Sequence, residues 1–367
     1  MDIKATIKQI KGDYRSGGLD LERPEDPRDY SLLEFSGRRK LGKAPDKEFF
    51  TPNVPPVKNQ FYTDFCVSFE SSYTAEQDYQ PKLENWKRRL SAAFNFAATK
   101  KRYYGGNYSG FGLSIPCGLG SLQHDGICLE YLWPMLKSSR KRNFMANWRN
   151  IPAEAWADAK NRKMDRGYFK VDTFRDRFEN FAAGLYYWQE MVITGLYWFN
   201  GFYVGSDDHL ILNKTGSYNG HCIGAIGYDR HPKNKRRRMW FTNSYPNEGR
   251  FWLYEEEVRA VMYNGYVVLP KKFTLDAIKI IKKYAGKLVK SEDKQDPRVF
   301  LIIDGEKRWL KNEEAFWSHG YTFDPDKITR IPQEEIAIIP TGKDLEPRHG
   351  EYYPILKEFA TKHKIKL

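Results

Sequence analysis

A chain of 367 residues, 41% hydrophobic and 16% aromatic, is long enough for two or more packed units and has ample material for their cores. Four cysteines in that length exclude a disulfide-stapled scaffold, and no run approaches the roughly 18 consecutive apolar residues of a membrane span. A formal charge of +13 suits an acidic partner, but Lys and Arg are spread along the chain, with no nucleic-acid-binding motif beside them.

Residues 1–50 are rich in charge, Gly and Pro and read as an extended arm. Their start, Met1 to Lys8, lacks the continuous apolar region of a signal peptide. Pro52, Pro55 and Pro56 keep the chain extended up to Gln60. A helix is predicted from about Asp64 to Gln80, with Thr63 or Asp64 as N-cap and Phe65, Phe69 and Tyr73 on its buried face. That places Cys66 in the first turn, where free N–H groups and the dipole favour a thiolate, although a lone cysteine also serves as a small buried hydrophobe.

Residues 82–100 read as a second amphipathic helix, 103–120 as a Gly- and Asn-rich loop, 121–136 as a short helix with an irregular end, and 152–166 as a superficial helix. A helix at 174–187 and an apolar segment at 191–204 follow, then strands at 222–228, 239–243 and 250–254, the first two joined by a basic hairpin loop at 233–238. That run and Lys137 to Arg142 are the two basic clusters, both read as solvated loops. Helices first and strands second make an α+β chain in two lobes. Residues 271–296 read as a basic helical linker, and 297–345 as a small β-containing module with a tight turn at Asp304-Gly305. Residues 346–367 form a basic tail, helical from about Tyr353.

Cys117, His124 and Cys128 lie close together, but a tetrahedral zinc site needs a fourth ligand at regular spacing and none presents itself. Neither metal nor cofactor is expected. A thiol nucleophile needs a base, an orienter for that base, and donors for an oxyanion. His221 stands at the entrance to one strand and Asn243 at the end of the next, where antiparallel neighbours come within side-chain reach. His209, after Asp207 and Asp208, is a rival base read as a surface residue, and His124, His231, His319, His349 and His363 fall in loops or tails.

Taken in order, Gln60, Cys66, His221 and Asn243 resemble the papain-like cysteine peptidases over roughly residues 24–270. The carrying segments are Pro56-Val57-Lys58-Asn59-Gln60, Gly220-His221 leading into Ile226-Gly227-Tyr228-Asp229, and Thr242-Asn243-Ser244; Asp26-Pro27-Arg28-Asp29-Tyr30 is similar to the segment before the catalytic domain in bacterial and viral members. The resemblance implies a two-lobe fold over 51–270, a helical lobe at about 60–165 and a β lobe at about 166–270. It implies thiol-dependent hydrolysis of a polypeptide extended between the lobes. Cys66 would be the nucleophile in a thiolate–imidazolium pair with His221, Asn243 would orient His221, and Gln60 with the Cys66 N–H would form the oxyanion hole. The alternative is a catalytically weak or inactive scaffold of the same fold, used for binding or assembly in a virion or surface complex.

Several positions depart from the family's pattern. Asp64 and Phe65 replace small residues, Val67 and Tyr245 stand where Trp is usual, Thr63 removes a disulfide partner, and 105–110 only loosely matches the Gly-rich cleft segment. A carboxylate at Asp64 is expected to oppose the thiolate, and Phe65 to crowd the cleft. The arm is expected either to inhibit or to belt the lobes together. The 297–345 module resembles those of bacterial and phage surface proteins, on Phe300-Leu301-Ile302, Asp304 to Arg308, Gly320-Tyr321 and Pro340-Thr341-Gly342. That implies docking, with an acidic protein or assembly partner held by the module and the basic surface, in a cytoplasmic or virion-associated protein.

Overall fold

In the computed structural model, which describes residues 18–20, 43–61, 63–79, 89–172, 174, 176–245, 249–269, 274–293, 296–321 and 324–347, the chain forms two units that part at residue 270. Asp26 to Tyr30, the linker's first residues and the tail beyond 347 lie outside the described residues.

The first unit begins with β1 (Phe49–Phe50) and then builds a helical lobe from α1 (Cys66–Tyr79), α2 (Ala92–Tyr103), α3 (Ile115–His124), α4 (Arg142–Ala146) and α5 (Ala153–Lys160). The expected face of α1 is buried, with Phe65, Phe69 and Tyr73 at 0% exposure, but Cys66 through Gln77 are enclosed on every side. The polar groups at the C-terminal end of α1 are bonded. Gln77 donates to Pro52 O and accepts from Met191 N–H, while Glu76 accepts from Arg89 and from Leu90 N–H. Ser91 caps α2 by accepting from Phe94 N–H, and Lys100, Lys101 and Arg102 complement the dipole at its other end. The first part of the expected 82–100 helix lies outside the described residues. Helix α3 starts inside the stretch read as a loop, because Pro116 suits a first turn. Helix α5 lies at the surface as expected, with Ala155 and Ala159 as its buried stripe.

The β lobe is one sheet in the order β2-β9-β3-β6-β7-β8, with β1 also on β6. Its strands are β2 (Tyr168–Val171), β3 (Val192–Phe199), β6 (Tyr218–Arg230), β7 (Arg237–Thr242), β8 (Arg250–Tyr254) and β9 (Gly265–Val268); β4 (Tyr203–Val204) and β5 (Leu210–Ile211) pair separately. Helices α6 (Arg177–Trp188), capped by Asp176, and α7 (Glu255–Val261) complete the lobe. Four-residue β2 and β9 and the short α7 carry too little pattern to be read from sequence. Strand β6 is the spine, pairing Leu196↔His221 and Gly195↔Cys222 with β3, and Gly224↔Thr242 with β7. One apolar core holds the lobes together, taking Phe65 and Phe69 from α1 and Ile193, Cys222 and Ile226 from the sheet.

The basic run at 233–238 is not simply a solvated loop. Its last two residues open β7, and Arg236, Arg237 and Arg238 face Glu256, Glu179 and Asp229 respectively.

The second unit holds α8 (Leu275–Tyr284), β10 (Leu288–Ser291), β11 (Val299–Ile303), β12 (Glu306–Trp309), α9 (Glu313–Ser318), β13 (Ile328–Ile331) and α10 (Gln333–Ile338). The sheet runs β12-β11-β10-β13, so the stretch read as a linker supplies one of its inner strands, β10. Asp304 and Gly305 turn between β11 and β12 with φ of 53° and 74°, the left-handed pair a two-residue hairpin needs. No helix among the described residues is long and apolar enough to cross a membrane.

Candidate active site

Cys66 is the first residue of α1, and its sulfur meets the backbone N–H groups of Cys222, Val67 and Gly18. Cys222 directly follows His221 on β6, so the thiol lies against the strand that carries the imidazole. His221 is fully buried, with Nε2 2.9 Å from Asn243 Oδ1. That oxygen also accepts from Tyr245 N–H, which fixes the carboxamide's orientation and makes His221 Nε2 the donor. Nδ1 is left with its lone pair, and it has no hydrogen-bond partner among the described residues. The ring is held flat by Tyr245, stacked at 3.9 Å, and from the edge by Trp198 at 5.3 Å. Tyr245 thus covers the imidazole in place of the usual Trp, helped by Trp198, which the sequence reading missed inside an apolar run.

Gln60 joins this group through Ser244. Its N–H donates to Ser244 O at 2.8 Å, its Oε1 accepts from Ser244 Oγ at 2.6 Å, and its Nε2 donates to Thr63 O at 2.6 Å. These contacts set Gln60 against Ser244, the neighbour of Asn243, and Cys66 against Cys222, the neighbour of His221.

The cleft is occupied. Gly18, Leu19 and Asp20 lie across it as a short strand: Leu19 N–H donates to Gly220 O at 3.1 Å, Leu113 N–H to Gly18 O at 2.8 Å, and Asp20 N–H to Leu113 O at 2.9 Å. Leu19 and Leu113 form a parallel bridge. The fit depends on glycine. A Cβ on Gly18 would lie 2.8 Å from Cys66 Sγ, and one on Gly195 would lie 2.0 Å from Leu19 Cδ2. These bonds tie the segment both to Gly220 of the β lobe and to Leu113 of the helical lobe.

Burial under this cover sets the charges. It pushes the Cys66 thiol up to about 12, with nearby Asp64 a smaller contribution in the same direction. It pushes His221 down to about 3, partly offset by the bond to Asn243. Both shifts work against the expected thiolate and imidazolium, because burial penalises the charged form of each group.

Asp64 raises the thiol as expected, whereas Phe65 departs from expectation. Phe65 turns into the core and stacks on Phe96 with ring centroids 4.0 Å apart, leaving the cleft uncrowded. Asp64 does not cap α1. Its carboxylate is forked by Arg142 and accepts from Gly112 N–H at 2.8 Å.

The rival groups are engaged elsewhere. His209 Nε2 faces Glu257 at 2.9 Å and its ring stacks on Trp252. His231 lies tilted beside the same Trp252, and His319 bonds Glu346 O. His124 is exposed, while His349 and His363 lie outside the described residues. Cys117 and Cys128 are buried and in no disulfide, and no cluster able to hold a metal ion exists among the described residues.

No known family's sequence model matches the chain, and no curated protein matches it. Solved structures do. Xylellain, a cysteine protease from Xylella fastidiosa, superposes with a TM-score of 0.54 at 19% identity, covering 70% of this chain and 97% of that one. Procathepsin B S9 from Trypanosoma congolense matches with a TM-score of 0.48 at 12% identity, over 72% and 89% of the two chains. The cysteine protease and lectin-like domains of Cwp84, a surface layer associated protein of Clostridium difficile, match with 0.47 at 18%, over 73% and 59%. The first of these likenesses establishes the papain-like α+β fold.

Proposed function

We propose that this chain is a thiol peptidase of the papain type, captured with its own N-terminal segment across the cleft. The observation that carries the reading is the join between Cys66 at the start of α1 and the His221–Cys222 step of β6, with His221 Nε2 held on Asn243 Oδ1. That arrangement leaves Nδ1, with its lone pair, as the ring atom free to take the thiol proton.

In the proposed reaction Cys66 Sγ attacks the substrate carbonyl carbon as its proton passes to His221 Nδ1. The oxyanion takes hydrogen bonds from the Cys66 N–H and from Gln60 Nε2, which has two hydrogens and gives one of them to Thr63 O. Collapse breaks the C–N bond, and His221 returns the proton to the leaving amine. Water, losing a proton to His221, then attacks the thioester, and Cys66 leaves as the regenerated thiol. The bound segment is not set up for this chemistry, because the Gly18 carbonyl is spent on Leu113 N–H.

A peptidyl vinyl sulfone or epoxysuccinyl probe tests the reading under reducing conditions. Labelling of Cys66 is expected to be slow in the full chain, to rise after the N-terminal segment is cut away or displaced, and to vanish in Cys66→Ala. Folded protein that stays unlabelled once the segment is gone would remove the enzyme. It would leave the alternative, an inactive scaffold for assembly, which the closed cleft and the upward-shifted thiol favour as they stand.

A further inference from the structure

The wall of the cleft opposite His221 is a loop that has little reason to hold its shape. Between the end of α2 and Leu113 it contains Gly105, Gly106 and Gly112, all at positive φ, where only glycine is comfortable. Yet Leu113 is the residue whose N–H and C=O grip the chain lying over Cys66. Its own bonds, from Asn107 N–H to Tyr104 O, from Gly110 N–H to Asn107 Oδ1 and from Ser114 N–H to Tyr104 Oη, are joined by ties from outside the loop. Lys100 Nζ contributes a bond to Phe111 O at 3.2 Å, but the main tie is Arg142, the last residue of the basic run at 137–142.

Arg142 donates to Tyr108 O and, at 2.8 Å, to Gly110 O, and it forks Asp64 with Nε at 2.7 Å from Oδ1. Asp64 in turn accepts from Gly112 N–H at 2.8 Å. The Asp64 and Arg142 side chains are 2% and 11% exposed, and the guanidinium lies over the rings of Phe65, Phe96 and Phe111. A buried, fully bonded fork of this kind is directional and stiff. One end of it stands two residues before Cys66, and the other holds the loop immediately before Leu113.

We propose that the Asp64–Arg142 pair is a positioning device that sets the register between Leu113, the backbone rail for an extended peptide, and the Cys66 thiol. The inference rests on reading the cleft as a peptide site. Asp64 is then no blemish beside the nucleophile. It is the anchor that lets a glycine-rich wall present one fixed pair of backbone groups to whatever chain lies there, substrate or inhibitory segment alike.

The test uses full-length protein carrying Arg142→Gln, with two readouts. KM for a peptide substrate, measured once the N-terminal segment has been cut away or displaced, is expected to rise about ten-fold while kcat stays within about two-fold, the signature of lost binding geometry without lost chemistry. Alkylation of Cys66 by iodoacetamide, which needs no peptide rail, is expected to become about ten-fold faster as the hold on Gly18 and Asp20 loosens. Arg142→Lys, which keeps the charge but not the fork, is expected to share most of the defect. Should Arg142→Gln not fold, Asp64→Asn keeps an acceptor for Gly112 N–H and is expected to move both readouts the same way by about three-fold. A folded variant with unchanged KM and unchanged alkylation, or one that loses kcat at constant KM, would overturn the proposal. If even the wild type turns over no peptide, the peptidase reading fails, and the alkylation rates still decide the role of the pair.

Discussion

Glu70 stands one helical turn after Cys66, fully buried, and burial holds its carboxyl well above the ordinary range. Geometry agrees. Glu70 Oε1 has no hydrogen-bond partner among the described residues, and Thr242 Oγ1, which donates to Oε2 at 2.9 Å, only partly offsets the burial. A raised folded value means that the contribution to stability is whole below the ordinary carboxylate range. It drains away as pH climbs, because the unfolded chain releases a proton that the folded chain keeps. Glu70→Gln is therefore expected to gain on the wild type in melting temperature steadily from about pH 5 to about pH 8; parallel curves would show that Glu70 is ionised in the folded protein. His221 has the opposite sign. Its depressed value costs stability as pH falls below the usual histidine range, but the substitution leaves that untouched and the difference isolates Glu70. Neither state was legible in the sequence, since burial is a property of the packed lobes.

At the scale of elements, the cleft is a contest between one short strand and an incoming chain. Leu19 is 9% exposed and seated over Gly195. Truncating a buried leucine typically costs about 2–5 kcal/mol, so Leu19→Ala is expected to speed probe labelling of Cys66 ten-fold or more. Gly195→Ala, which places a methyl where Leu19 Cδ2 now lies, is expected to do the same from the opposite wall. Labelling rates equal to the wild type in both variants would mean that the segment does not control access. The helices and strands themselves were largely legible. Phe65, Phe69 and Tyr73 announce α1, and strand β8 falls where Arg250 to Tyr254 predicts it. What escaped was the second, polar side of α1, whose burial depends on Arg89, Pro52 and Met191 arriving from elsewhere in the chain.

For the whole molecule, the two units have separate apolar cores. Phe65, Ile193 and Ile226 belong to one, and Leu288, Leu301 and Phe316 to the other. Leu301→Ala is expected to cost the smaller unit about 3 kcal/mol and to make it an early target of limited proteolysis, while the rate of Cys66 labelling stays as in the wild type. A matching fall in labelling would mean that the cores act as one. The sequence by itself determined the order of the helical and β elements and singled out Gln60, Cys66, His221 and Asn243 as candidates, because those signals are local: a residue type, a spacing, an alternation within one strand. Only the tertiary structure decided that Leu19 fills the cleft, that Arg142 rather than solvent answers Asp64, and that burial works against charge on thiol and imidazole alike. Each of these turns on groups tens or hundreds of residues apart meeting in a place without water, and a linear pattern carries no information about which remote segments exclude water from one another.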